Sequence, residues 1–336
     1  VADALPDPLR HHGDVEVGDL LDLAVNVYDG PRPPWLDAAL RASLDEVGAY
    51  PTSERARTAV ATHHRRPEDE ALVTAGAAEA FTLVARLRPW RRPVVVHPQF
   101  TEPHAALEQA GHEVTPVVLP APFLLDPALV PDDADLVVLG NPTNPTGVVH
   151  PPAEIRALLR PGRVVVVDEA FMDCLPGEPA SLTGDRSAGL VVLRSLTKHW
   201  SIPGIRAGYL VGDPDLVADL AHGQVPWSVS TPAAAAVTAC LSPEGVEEGR
   251  RRAEEIGDWR KVLEAGLDEI GVPYRPSAAS FVLAQVGEGV HRGLRRAGIA
   301  VRRADTFPGL DGSWVRIAVR PPATTQLLVD VLRVLG

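Results

Sequence analysis

Lysine is nearly missing from this chain. Of its 336 residues, 32 are lysine or arginine, and only Lys198 and Lys261 carry an amine. A chain that writes its cations as arginine gives up a property that lysine keeps. An amine can shed its proton and condense with a carbonyl carbon, whereas a guanidinium stays charged. Lys261 lies in the charged run Arg251–Glu264 and reads as part of a solvated helix face. Lys198 follows an apolar run and precedes a Gly-Pro turn, a poor place for a solubilising charge. Cysteine is equally scarce. Cys174 and Cys240 are too few and too far apart in sequence for a disulfide framework or a metal motif, so a reducing, cytoplasmic setting is expected. An excess of positive charge is lacking too: the net charge of -12 excludes a general nucleic-acid binder, which needs a basic face. No apolar run is long enough to span a bilayer, and no basic-then-apolar leader opens the sequence, so neither membrane insertion nor export is expected.

What is present is a globular chain, 45% apolar and long enough for two domains. Residues 1–34 lack a core pattern and read as an irregular N-terminal arm, lying across a domain or a partner subunit. Within it His11 and His12 are adjacent and face apart on any regular element, which argues against a metal pair. Residues 35–47 carry apolar side chains at helical spacing, Gly48–Pro51 stops that helix, and a second runs from Ser53 to His64. From residue 71 to 211, seven valine-rich runs alternate with helical patterns. Unbroken valine runs suit strands buried on both faces, so the spacing predicts an α/β large domain over residues 35–215 with a mostly parallel seven-stranded sheet. Beyond it, a long charged helix from about Pro243 to Ile270, three short strands and a closing helix predict a smaller α+β domain over residues 216–336.

Four strand ends carry the chemistry, where ligands of such sheets bind. Thr74-Ala75-Gly76-Ala77-Ala78 joins a strand to a helix through small residues, which lets backbone N–H groups meet a phosphate. Asn141-Pro142-Thr143-Asn144-Pro145-Thr146-Gly147 is a stiff turn that can aim an amide at the strand ends. Asp168-Glu169-Ala170-Phe171 places a carboxylate directly after four valines. Ser195-Leu196-Thr197-Lys198 then leads to Arg206.

With these four motifs in order, nearly the whole chain resembles a fold-type I pyridoxal-phosphate enzyme of the class I/II aminotransferase superfamily. The resemblance implies pyridoxal 5′-phosphate as cofactor, Lys198 as the lysine that carries it, and Asp168 as the carboxylate facing the pyridine nitrogen. It implies that Asn144 bonds the ring oxygen. Phosphate ligands would be Ser195, Arg206 and the backbone of Ala77 and Ala78. Phe100 would stack on the ring. Tyr50, in Ala49-Tyr50-Pro51, would reach the phosphate of a neighbouring subunit, which implies a homodimer. Arg316, between Val315 and Ile317, would clamp a substrate carboxylate. Phe171 departs from the pattern, since many members have tyrosine there.

Asp-Glu-Ala-Phe-Met-Asp (168–173) and Trp-Val-Arg-Ile-Ala-Val-Arg (314–320) resemble the threonine-phosphate decarboxylases of cobalamin synthesis, relatives of the histidinol-phosphate aminotransferases. His11-His12-Gly13-Asp14 and Asn26 resemble segments with which the arm of that group meets its substrate. The first expectation is therefore decarboxylation of L-threonine O-3-phosphate. The alternative is a transaminase using histidinol phosphate or an aromatic amino acid, and a third reading is a non-catalytic partner protein of the same fold. Arg302, Arg303 and Arg320 near the presumed site favour a phosphorylated small molecule in either enzyme.

Overall fold

The computed structural model describes residues 7–335, so residues 1–6 of the expected arm lie outside it. Its large sheet contains β2 (Ala71–Thr74), β3 (Pro93–His97), β4 (Thr115–Val118), β5 (Leu136–Gly140), β6 (Val164–Asp168), β7 (Leu190–Ser195) and β8 (Gly208–Gly212). The spatial order is β2-β8-β7-β6-β5-β3-β4, with β8 antiparallel to both neighbours and the rest parallel. β5 and β6 are buried at every position, as their unbroken valine and leucine runs require of strands covered on both faces. One face is covered by α1 (Pro34–Ser43), α2 (Glu54–His64) and α7 (Thr231–Cys240). The other packs against α3 (Ala77–Arg86), α4 (Glu102–Gln109) and α6 (Pro214–Gly223), while the short α5 (Pro152–Arg156) links β5 to β6.

Register decides where the motifs meet. Gly140 lies opposite Asp168, Ser195 opposite Gly208, and Thr74 opposite Gly208. The ends of β2, β5, β6 and β7 and the start of β8 therefore share one edge. Four motifs spread from residue 74 to residue 206 become neighbours there.

A second sheet runs β1-β11-β12-β10-β9, from β1 (Leu21–Leu23), β9 (Tyr274–Arg275), β10 (Phe281–Gln285), β11 (Ile299–Arg303) and β12 (Trp314–Ala318). Its apolar core includes Leu263 and Leu267 of α8 (Pro243–Glu269) and Leu294 of α9 (Val290–Arg296). Leu328 and Leu332 of α10 (Pro322–Leu335) complete it. β1 corrects the expectation of a wholly irregular arm: it pairs in parallel with β11, and Leu23 is fully buried in that core. Three residues carry too little pattern to announce a strand; only the ready edge of β11 makes one. Arg320 of the expected basic patch holds the arm rather than a ligand. Its guanidinium donates to the carbonyls of Asp22 (2.8 Å), Val25 (2.7 Å) and Val27 (3.1 Å). Arg303 also leaves the patch, being exposed and paired with Asp305. No helix among the described residues is long and apolar enough to cross a membrane.

Candidate active site

A cavity of about 360 Å³ opens where the sheet edge, the arm and the second sheet meet. Lys198 lines it from the turn after β7, and its Nζ donates to Thr197 Oγ1 at 2.9 Å. Burial pulls its amine down to about 8, against the pull of the Asp168 carboxylate, which favours the charged form. Asp168 is pushed up to about 6 by burial; Lys198 and the N–H of Ala170, 3.1 Å from Oδ1, oppose that rise. Asn144 is held by Arg316, whose guanidinium donates to its Oδ1 at 2.6 Å. The amide nitrogen of Asn144 is thereby left as the donor that can face a ligand.

The small-residue turn after β2 opens onto the same cavity. Gly76 has φ of +76°, and a Cβ on it would lie 2.8 Å from a terminal nitrogen of Arg206. Backbone and guanidinium thus meet at the N-terminus of α3, with Ala77 and Ala78 in the cavity wall. Phe100 and Phe171 are aromatic walls of the same cavity, and Phe171 packs edge-on against Phe281 at 4.9 Å. Asn26 and His11 enter from the arm. Arg302, on β11 opposite Arg316 on β12, reaches the same space, its guanidinium donating to the His11 carbonyl and Thr306 Oγ1, both at 2.6 Å.

Two expected cofactor ligands do not line this cavity. Ser195 is buried, its hydroxyl exchanging a hydrogen bond with Thr197 at 2.8 Å. Tyr50 is outside the cavity, 77% exposed and stacked on Trp227. Other cavity residues had no individual signal in the sequence. Phe307 lies under the Arg302 guanidinium, and Thr101 donates to the Leu9 carbonyl at 2.6 Å. His12 accompanied His11 in its motif, but its bond to Glu102 (2.7 Å) and its place beside the Phe100 ring arise only when the arm folds back.

Residues 18–333 match the family described as aminotransferase class I and II. The chain belongs to this family. It is 47% identical over 318 residues to a histidinol-phosphate aminotransferase of Mycobacterium bovis, covering 93% of this chain and 87% of that one. It is 30% identical over 336 residues to a threonine-phosphate decarboxylase of Salmonella typhimurium, covering 94% and 90%. The crystal structure of the histidinol-phosphate aminotransferase from Clostridium acetobutylicum superposes with a TM-score of 0.86 at 25% identity, covering 94% and 99%.

Class I and II aminotransferases use pyridoxal 5′-phosphate, and this chain is a pyridoxal-phosphate enzyme of that class. Its residues fit the group. A Cβ on Gly76 would crowd the Arg206 guanidinium, so glycine leaves room there for a phosphate, and among the described residues Asp168 is a buried carboxylate with no cationic side chain in hydrogen-bond contact. When bound, the cofactor supplies an electron sink for charge developing at a substrate carbon. The chain supplies the rest. Asp168 would face the ring nitrogen and hold a proton there, Lys198 Nζ would take and return a proton beside that carbon, and Phe100 and Phe171 would wall the site from water.

Proposed function

We propose that the chain is an aminotransferase for a phosphorylated amine of the histidinol-phosphate type, with Lys198 as its catalytic amine. The observation that carries this reading is the pair of buried guanidinium groups on adjacent strands. Arg302 is 2% and Arg316 5% exposed, and among the described residues neither has a carboxylate partner within 4.0 Å. Burial pushes both below the usual arginine range, Arg302 to about 10. Two uncompensated buried cations are costly unless a ligand brings negative charge. A phosphate monoester, or the dicarboxylate of an amino acceptor, brings two. The 47% identity to the histidinol-phosphate aminotransferase of Mycobacterium bovis ranks this reading above the decarboxylase first expected from the sequence, whose Salmonella relative stands at 30%.

A second reading retains that decarboxylase. Phe171 favours it, because this aromatic wall brings no hydroxyl to the ring oxygen and leaves the electron sink tuned differently from the tyrosine-bearing pattern. The two readings separate in one pair of assays on the cofactor-loaded enzyme. Histidinol phosphate with 2-oxoglutarate should yield glutamate, while L-threonine O-3-phosphate alone should release no CO₂. Steady CO₂ release without a keto acid would reverse the ranking. We further propose a homodimer in which Tyr50 of one subunit approaches the Arg206 cradle of the other, supported by the exposure of its ring.

A further inference from the structure

His199 follows the catalytic lysine and turns the other way, into a second cavity of about 530 Å³ that Asp173, Arg194, Trp200 and Cys240 also line. It is 2% exposed. Its Nε2 lies 3.0 Å from the Gly249 carbonyl of α8. A carbonyl only accepts, so Nε2 carries the hydrogen, and Nδ1 is the ring nitrogen left to offer its lone pair to a ligand. That Nδ1 is buried without a hydrogen-bond partner among the described residues. What it faces is Asp173 Oδ1 at 3.9 Å, too far for a hydrogen bond. Cys174 Sγ lies 3.9 Å from the same oxygen, and ligand atoms of all three residues fall within 4.8 Å of one another. A ring nitrogen, a carboxylate and a thiol converge there, with only the thiol hydrogen directed at the Asp173 oxygen.

We infer that Asp173, Cys174 and His199 form a binding site for a divalent ion of the zinc class, with the open cavity supplying a water as fourth ligand.

The geometry suits this ion. Ligand atoms about 2.0–2.3 Å from a tetrahedral zinc stand roughly 3.3–3.8 Å apart, so the two 3.9 Å separations need close only slightly and the third, within 4.8 Å, closes further as the side chains turn in. One nitrogen, one thiolate and one carboxylate suit zinc or cobalt and disfavour magnesium and calcium, which want oxygen alone. A ligating histidine commonly donates its other ring N–H to a backbone carbonyl, which fixes the tautomer, and Gly249 supplies that carbonyl here. The cavity gives an entry path. The neighbouring cations do not substitute for the ion. Arg194 spends its two terminal nitrogens on Glu178 at 2.6 and 2.8 Å, and Arg260 of α8 donates to the Ala279 carbonyl at 3.1 Å. The ion would tie the 3-10 turn Met172–Cys174, just past Asp168, to the turn that carries Lys198.

The test uses cofactor-loaded enzyme stripped with a chelator, then dialysed against Zn²⁺ and, separately, titrated with Co²⁺. One Zn²⁺ per chain is expected, with Co²⁺ d–d bands at longer wavelength than the cofactor's absorption. C174S and H199Q should each abolish stoichiometric binding while keeping the near-ultraviolet circular dichroism of the folded protein. Because both variants leave the phosphate cradle intact, metal held by the cofactor would survive them. Absence of stoichiometric Zn²⁺ on the unsubstituted enzyme, or binding indifferent to both substitutions, would overturn the site.

Discussion

Lys198 is held between two opposing influences. Burial lowers its amine to about 8, and the Asp168 carboxylate limits that fall. Condensation with an aldehyde needs the neutral amine, so capture of pyridoxal phosphate by the cofactor-free enzyme should accelerate as pH rises through about 8. In Asp168→Asn the charge that favours the ammonium is gone. The inflection should therefore move to lower pH while the captured cofactor is retained less well; stopped-flow absorbance measures both. A shift to higher pH would contradict the assignment. Arg316→Gln removes a two-pronged charge-assisted contact worth about 1.5–3 kcal/mol, so KM for the carboxylate-bearing acceptor should rise about 10- to 150-fold, with cofactor affinity little changed. That Lys198, Asp168, Asn144 and Arg206 share one cavity was legible in the sequence, because each sits in a short motif at a strand end of one sheet. Phe307 and Thr101 were not, since an aromatic or a threonine in a loop gives no sign of what it will face.

At the scale of elements, the arm is built from contacts distant in sequence. Glu16 is buried among His11 (2.7 Å), His291 (3.3 Å) and Arg295 (3.3 Å), and its carboxyl falls to about 2 although burial opposes the fall. A carboxyl lowered on folding contributes stability above its unfolded value near 4.5, and that contribution is lost as pH falls toward about 2. Glu16→Gln should remove it at neutral pH. Limited proteolysis should then cut the arm faster than in the unsubstituted enzyme at pH 7, and the difference should vanish in acid. Equal rates at pH 7 would show that β1 and Arg320 hold the arm unaided. The arm read as irregular because its strand is three residues long and its partner, β11, lies nearly three hundred positions later.

For the whole molecule, the proposed homodimer gives a use to one exposed surface. Tyr50 and Trp227 stack with centroids 4.4 Å apart, and Trp227 is 60% exposed although its φ is +60°, a strained value for so bulky a residue. Leu44, Val47 and Val225 are exposed as well. Trp227→Glu places a charge on this surface and should shift sedimentation from dimer to monomer. Weaker cofactor retention should follow, since Tyr50 would lose its place beside the other subunit's cradle. A variant that stays dimeric with unchanged retention would remove this surface from the interface.

The sequence by itself determined the large sheet, the strand-end motifs and the family, because buried parallel strands must be apolar at every position and the cofactor's chemistry tolerates few residue types. It could not determine how segments with no shared pattern come together. Cys174 seemed too isolated for metal chemistry, and His199 had no partner within reach along the chain. Packing of α8 against the turn after β6 supplies both the Gly249 carbonyl that fixes the His199 tautomer and the space in which three ligand types converge. A motif is local and is written in residue types, whereas a site assembled across elements depends on register and packing, which only the folded chain sets.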